Sequence, residues 1–244
     1  MKRIFFTGLI IVLTSQLLFA KEERLKFNLK FGFVKGGEAE MLIKDTVFNG
    51  KPAIYYYMVG QTTGLANTLY GVHDFYETIV DAESHLPLKA IRSVKEGSYT
   101  KYNETLFYHD IDSINSQQTG WRKAPDNLLD IISVFFYFVY KNPFDNLQPG
   151  DAVSYPTYHQ DKISDIRIKF LRHETVTTDI GKINCYVLNP TVDKGKVLKK
   201  AEGIHFYLSK EKKLPVLITF DMRVGALKAV IKSYSIDGVE QQTK

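Results

Sequence analysis

The sequence predicts a mainly β fold: an antiparallel barrel or strongly curved sheet of about a dozen strands, with one apolar helix covering or plugging it. Three observations predict it. Apolar residues recur at every second position along most of the chain after residue 20. Turn-forming residues break these runs at short intervals. One segment, residues 126–140, is apolar for nearly its whole length and departs from the alternation.

Residues 1–20 come first because they fall outside the fold. Met1-Lys2-Arg3 is a short positive start, residues 4–19 are mostly apolar, and Ala20 is a small residue before Lys21-Glu22-Glu23-Arg24. This is the three-part layout of a secretory signal peptide. Cleavage after Ala20 leaves residues 21–244 as a single domain, exported and expected in the periplasm. No Cys follows Ala20, so lipid attachment there is not indicated. No later segment has the length needed to cross a bilayer as a helix.

Leu25, Phe27, Leu29, Phe31 and Phe33 alternate with Lys26, Asn28, Lys30 and Gly32. Such residues share one face of a strand and cannot share one face of a helix. Lys35-Gly36-Gly37 is expected to turn the chain into a second strand carrying Ala39, Met41 and Ile43. Asn49-Gly50 accepts positive φ at both positions and marks the next turn. The strand that follows places the phenols of Tyr55-Tyr56-Tyr57 on both of its faces. Residues 61–67 hold a loop or one helical turn. Strands follow at 72–80, 88–96 and 99–109, the last two joined through Glu96-Gly97-Ser98. Residues 113–123, with Trp121, are weakly patterned as strand.

For residues 126–140, length favours a helix and the Phe, Tyr and Val content favours a strand. Asp126 after Pro125 can start a helix and Asn142-Pro143 can stop it, so a helix is expected. Strands resume after Pro149-Gly150-Asp151, at 153–158, 165–172, 183–188, 204–208, 216–223 and 227–234. In residues 165–172, Ile166, Ile168 and Phe170 face one way and Asp165, Arg167 and Lys169 the other.

Composition excludes several classes. Loss of the leader removes Lys2 and Arg3 and no acid, so the formal net charge goes from +5 to +3. The charges are interspersed, with no basic helix or zinc-finger spacing, so nucleic acid is not an expected partner. Lys210-Glu211-Lys212-Lys213 reads as a solvated turn. The one cysteine, Cys185, rules out an intramolecular disulfide. It shares a strand face with Ile183 and Val187 and reads as a buried small apolar residue. The sharper alternative, a thiol nucleophile, needs a base nearby, and His173 is the nearest His in sequence.

No Gly-x-Ser-x-Gly elbow, phosphate-binding Gly loop, Cys-x-x-Cys pair or His-Glu-x-x-His helix occurs. His73-Asp74, His109-Asp110 with Asp112, and His159 with Asp161 are His–acid neighbours. In a strand, His159 and Asp161 would point to the same side. Such a pair supplies two ligands where zinc takes three or four, so no metal and no cofactor is expected. Two carboxyls across a cleft would suit a glycosidase, but the sequence marks no such pair.

Several phrases resemble a family of exported bacterial proteins, the domain of unknown function DUF3108. They are Asp81 with Pro87-Leu88, Glu96-Gly97 and Tyr99; Asp130-Ile131-Ile132-Ser133 before Phe135-Phe136-Tyr137; Pro149-Gly150-Asp151; Glu174-Thr175 with Gly181-Lys182-Ile183-Asn184-Cys185; and Tyr207-Leu208-Ser209, Leu214-Pro215-Val216 and Gly225-Ala226-Leu227. Their order spans most of the chain from Asp81. The resemblance implies an envelope location and a largely β fold, and it carries over no catalytic residue.

The chain is rich in aromatic residues, with 16 Phe, 15 Tyr and one Trp. They either build a core or line a cavity for an apolar or amphiphilic molecule. The sequence therefore points to a non-enzymatic envelope protein that binds a lipid or glycolipid in a β barrel. Tyr56, Phe75, Trp121, Phe135 and Phe138 are the lining candidates, with the apolar helix as a cover. A scaffold or assembly factor that binds another envelope protein is the second reading. A hydrolase acting on a cell-envelope polymer is the third.

Overall fold

The computed structural model of the chain describes residues 20–192 and 198–241. The expected leader, up to residue 19, lies outside the described residues. The first half is an antiparallel meander: β1 (Glu22–Phe31), β2 (Val34–Phe48), β3 (Lys51–Thr62), β4 (His73–Asp81), β5 (Pro87–Glu96), β6 (Tyr99–Tyr108), β7 (Ser113–Ser116) and β8 (Gly120–Lys123). A short helix, α1 (Gly64–Leu69), sits between β3 and β4. The second half opens with β9 (Leu129–Asp130) and α2 (Ser133–Lys141). A second meander follows: β10 (Ala152–His159), β11 (Lys162–Thr178), β12 (Gly181–Thr191), β13 (Ile204–Ser209), β14 (Pro215–Asp221), β15 (Ala226–Ile236) and β16 (Val239–Glu240).

Among the described residues these strands form one sixteen-stranded sheet. The two meanders join where β1 pairs antiparallel with β15. The sheet is mainly β as expected, with more strands than the dozen read from sequence, and it is not closed: its pairing path ends at β8 and β9. It is nonetheless strongly curled. β6 lies near one end of that path and the β10–β11 turn near the other. Yet Asn103 Nδ2 of β6 donates to Asp161 Oδ1 in that turn at 3.1 Å, and the Lys101 ammonium is paired with the same carboxylate. Arg122 of β8 donates to the Asp161 carbonyl at 2.8 Å. Side chains therefore bridge the gap that backbone pairing leaves open.

Alternation is legible in the inward residues. Leu25 and Phe27 of β1 and Ile166, Ile168 and Phe170 of β11 are buried. Asn49-Gly50 turns β2 into β3 with φ of 50° and 78°. The first hairpin turns earlier than expected, at Gly32-Phe33. Phe31 faces Val34, and Lys35, Gly36 and Gly37 lie within β2 beside a register shift. Gly37 is needed there because a Cβ would meet the Gln61 carbonyl oxygen at 2.3 Å. Gln160 and Asp161 both have positive φ. They form the β10–β11 turn, so His159 and Asp161 are not two residues of one straight strand.

The predicted helix over 126–140 is divided. Leu129–Asp130 pairs parallel with Thr157 and Tyr158 of β10, and only Ser133–Lys141 is helical. A distant strand claims the front of the apolar run. The start of α2 is tied by Asp130 and not by Asp126. Asp130 Oδ1 accepts from the Ile132 and Ser133 amides, and Ser133 Oγ accepts from the Asp130 amide. This reciprocal exchange satisfies orphan donors of the first turn.

The buried face of α2 joins the same core as the strands. Phe136 stacks on Tyr56 of β3 at 3.9 Å between ring centroids. Phe135 stacks on Phe206 of β13 at 4.8 Å, and Tyr137 meets Tyr155 of β10 edge-on. One helix thus touches strands from both meanders across the inside of the curl.

Candidate functional site

The five residues expected to line a cavity are not among the walls of the cavity at the sheet's seam described below. Tyr56, Phe135 and Phe138 are buried in the core around α2. Phe75 lies beside Tyr57, with centroids 6.3 Å apart, on the sheet face opposite the buried Thr78 and Val80. Trp121 is exposed on β8, tilted against Tyr108 at 4.8 Å. The interior is filled by these rings and by their aliphatic neighbours.

A cavity of about 40 Å³ lies at the seam between the two ends of the sheet. Tyr76, Arg92, Asn103, Thr105, Asp130 and Tyr158 are among its walls. A polar cavity of this size suits about one or two water molecules. Asp130 is the unusual group here. Its Oδ1 accepts from the Thr78 hydroxyl at 2.8 Å as well as from the two amides at the start of α2. Its buried Oδ2 has no hydrogen-bond partner, and neither does the buried Arg92 Nε. Burial pushes the Asp130 carboxyl above the ordinary carboxylate range, because the charged form loses its hydration.

Closer to the connection between β5 and β6, Asp74 and Glu96 hydrogen-bond to each other beside Arg92. Burial raises both, and the Asp74 charge raises Glu96 further. Two carboxyls in direct contact leave no room between them for a glycosidic oxygen, so this is not the spaced pair that glycoside hydrolysis uses. The histidines are dispersed. His85 stacks on Tyr140, His109 Nε2 contacts the Pro87 carbonyl at 2.8 Å, and His173 packs on Phe170 and Tyr186. Among the described residues no group of three or more His, Cys, Asp and Glu side chains could hold a metal ion. Cys185 is fully buried, and burial pushes its thiol up to about 12. Both the burial and the raised thiol disfavour the thiolate that a nucleophile needs, so Cys185 reads as a core residue.

Exposed apolar residues gather at one end of the sheet. Antiparallel pairing places the β1–β2, β3–β4, β5–β6 and β14–β15 connections at one end of the sheet. Among the described residues, eight of the fourteen exposed large hydrophobic residues lie in or beside these four connections. Phe31, Phe33 and Val34 form the β1–β2 tip, with Phe33 fully exposed. Val224 is at the β14–β15 tip, Leu65, Leu69 and Tyr70 are on or just after α1, and Tyr99 follows the β5–β6 turn.

Backbone contacts make this rim continuous. A Cβ on Gly225 would meet the Phe31 ring at 2.5 Å. The Thr63 amide donates to the Gly36 carbonyl at 2.9 Å, which seats α1 against β2. The Tyr70 ring lies over Gly97, whose amide donates to the Gly71 carbonyl at 2.8 Å. Sequence reasoning missed this rim because it read exposed Phe31 and Phe33 as two more inward residues of β1. The available signal was Gly32 between them and the uncharged run from 60 to 72.

No helix among the described residues is long and apolar enough to cross a membrane. No curated protein matches the chain. Among solved structures, the chain is similar to a β-barrel-like protein of the domain of unknown function DUF1849 from Brucella abortus, at 9% identity and a TM-score of 0.57. That match covers 88% of this chain and 97% of the other, and it supports the curled, barrel-like architecture. A DUF1089 family protein from Pseudomonas aeruginosa matches at 11% identity with a TM-score of 0.27, too low to bear on the fold. The family model described as "Protein of unknown function (DUF3108)" matches residues 26–232, nearly the whole described fold, and the chain belongs to that family.

Proposed function

We propose that this is an exported envelope protein that works without catalysis, by binding through the apolar rim at one end of its sheet. The observation behind this reading is the pairing of an interior packed around α2 with a cluster of exposed apolar residues at one end of the sheet. Pockets for small organic ligands run to about 300–1,000 Å³, and the cavity at the seam measures about 40 Å³. A lipid inside the curl would have to displace α2 from Tyr56 and Phe206. The rim needs no such rearrangement, and contiguous exposed apolar surface of this kind marks interaction sites.

The export half of the proposal rests on the leader layout of residues 1–20. The test is fractionation of the exported chain. Wild type should travel with the envelope, and the Phe33→Ser, Leu65→Ser double variant should move to the free fraction with an unchanged unfolding midpoint. Identical fractionation of the two would overturn the reading. A lipid that co-purifies with both, seen by native mass spectrometry, would favour an interior site instead.

A further inference from the structure

We propose that the partner of this rim is the surface of a lipid bilayer bearing anionic headgroups. The inference rests on the binding role proposed above and names its partner. Shape argues for it first. A stable protein interface buries about 800 Å² on each side with interior-like packing. The rim instead presents single side chains projecting from turn tips: Phe33 is 106% exposed, Leu69 86%, Leu65 83% and Val224 79%. Such side chains have no wall around them to define a protein-shaped pocket. They can each enter the acyl boundary independently, as interfacial anchors do.

Charge argues for it second. Residues 60–72 carry no charged side chain, so this length can approach hydrocarbon without stripping an ion of water. The two hairpin tips, residues 28–37 and 222–230, carry Lys30, Lys35, Arg223 and Lys228 and no acid. Lys30 also reaches Asp179 and Lys35 reaches Glu38, which reduces their share of the field. With Glu38 and Asp221 at their edges, these two tips still hold four bases against two acids, and basic residues set just behind apolar tips attract anionic headgroups.

Aromatic placement argues third. Tyr70 and Tyr99 are half or more exposed at the margin where α1 meets the β5–β6 turn. A phenol with an apolar body and a wet tip is suited to headgroup depth.

The experiment uses the chain purified after export and two vesicle types: phosphatidylethanolamine with phosphatidylglycerol, and neutral phosphatidylcholine. Wild type should co-sediment with the anionic vesicles. Phe33→Ser with Leu65→Ser should lower the partition coefficient by about tenfold or more, given the apolar area withdrawn. Arg223→Gln with Lys228→Gln should remove the preference for anionic over neutral vesicles. Phe33→Trp, made with Trp121→Phe, should give blue-shifted emission on adding anionic vesicles and none without them. No binding to either vesicle, or no blue shift, overturns the bilayer assignment. If envelope fractionation still depends on Phe33 and Leu65 in that case, the rim reading stands with a protein as its partner. If it does not, both fall.

Discussion

The Thr78 hydroxyl on β4 donates to Asp130 Oδ1 at 2.8 Å, joining the start of α2 to a strand 52 positions earlier. That oxygen also receives the Ile132 and Ser133 amides. One carboxylate oxygen thus fixes where the helix begins and which strand it faces.

Asp130→Ala would leave all three donors without this acceptor in a buried setting. It should lower stability by about 2–4 kcal/mol, measured by urea unfolding. Asp130→Asn keeps an acceptor oxygen for the three donors and places its amide where the unpartnered Oδ2 stands. Its cost should be about 1 kcal/mol or less. Equal losses in the two variants would show that the cap is not what Asp130 contributes.

The aromatic residues divide by burial, not by identity. Phe136→Ala removes a ring stacked at 3.9 Å on Tyr56 and should cost about 3–5 kcal/mol. Trp121→Ala removes a larger side chain that is exposed on β8 and should cost less than about 1 kcal/mol. Comparable losses would contradict the placement of Trp121 outside the core.

Local pattern made the strands legible and left their partners hidden. Asn49-Gly50 and Gly97 announced their turns because positive φ has a residue signature. The β1 alternation was readable from Leu25, but it ran on through Phe31 and Phe33, since apolar identity alone does not say whether a face is covered. β1 stops at Phe31 because Gly32 turns the chain there. β9 was illegible: it has two residues, and its pairing with Thr157 and Tyr158 lies outside any local window. The rim was illegible for a related reason, since it gathers four connections that are far apart in sequence.

Gly37 and Gly60 give opposite expectations on neighbouring strands. A Cβ at Gly37 would sit 2.3 Å from the Gln61 carbonyl oxygen, while one at Gly60 would have nothing within 4 Å. Gly37→Ala must push backbone aside and should cost about 1–3 kcal/mol. Gly60→Ala should be neutral or stabilise by up to about 1 kcal/mol, because it restricts the unfolded chain without strain. The check is the pair of thermal midpoints, which should move in opposite directions or split by several degrees.

The Asp74–Glu96 pair should make stability depend on pH in a direction opposite to the usual carboxylate. Both groups are raised by burial, and Glu96 is raised further by the Asp74 charge and their shared hydrogen bond. Arg92 opposes this on both groups, and on Asp74 so do the Lys95 amide, the hydrogen bond with Glu96 and His73. A raised acid holds its proton in the folded state over a pH range where the unfolded chain has released it. The folded form then binds more protons, so stability is present at low pH and falls as pH rises through the raised values. Asp130 adds a slope of the same sign. Glu96→Gln keeps a hydrogen-bond donor toward Asp74 and removes one of the two negative charges. The variant should show a shallower loss of urea midpoint above the ordinary carboxylate range, and it should be the more stable protein at neutral pH. A variant whose midpoint follows wild type at every pH would mean that the two carboxyls do not share a proton.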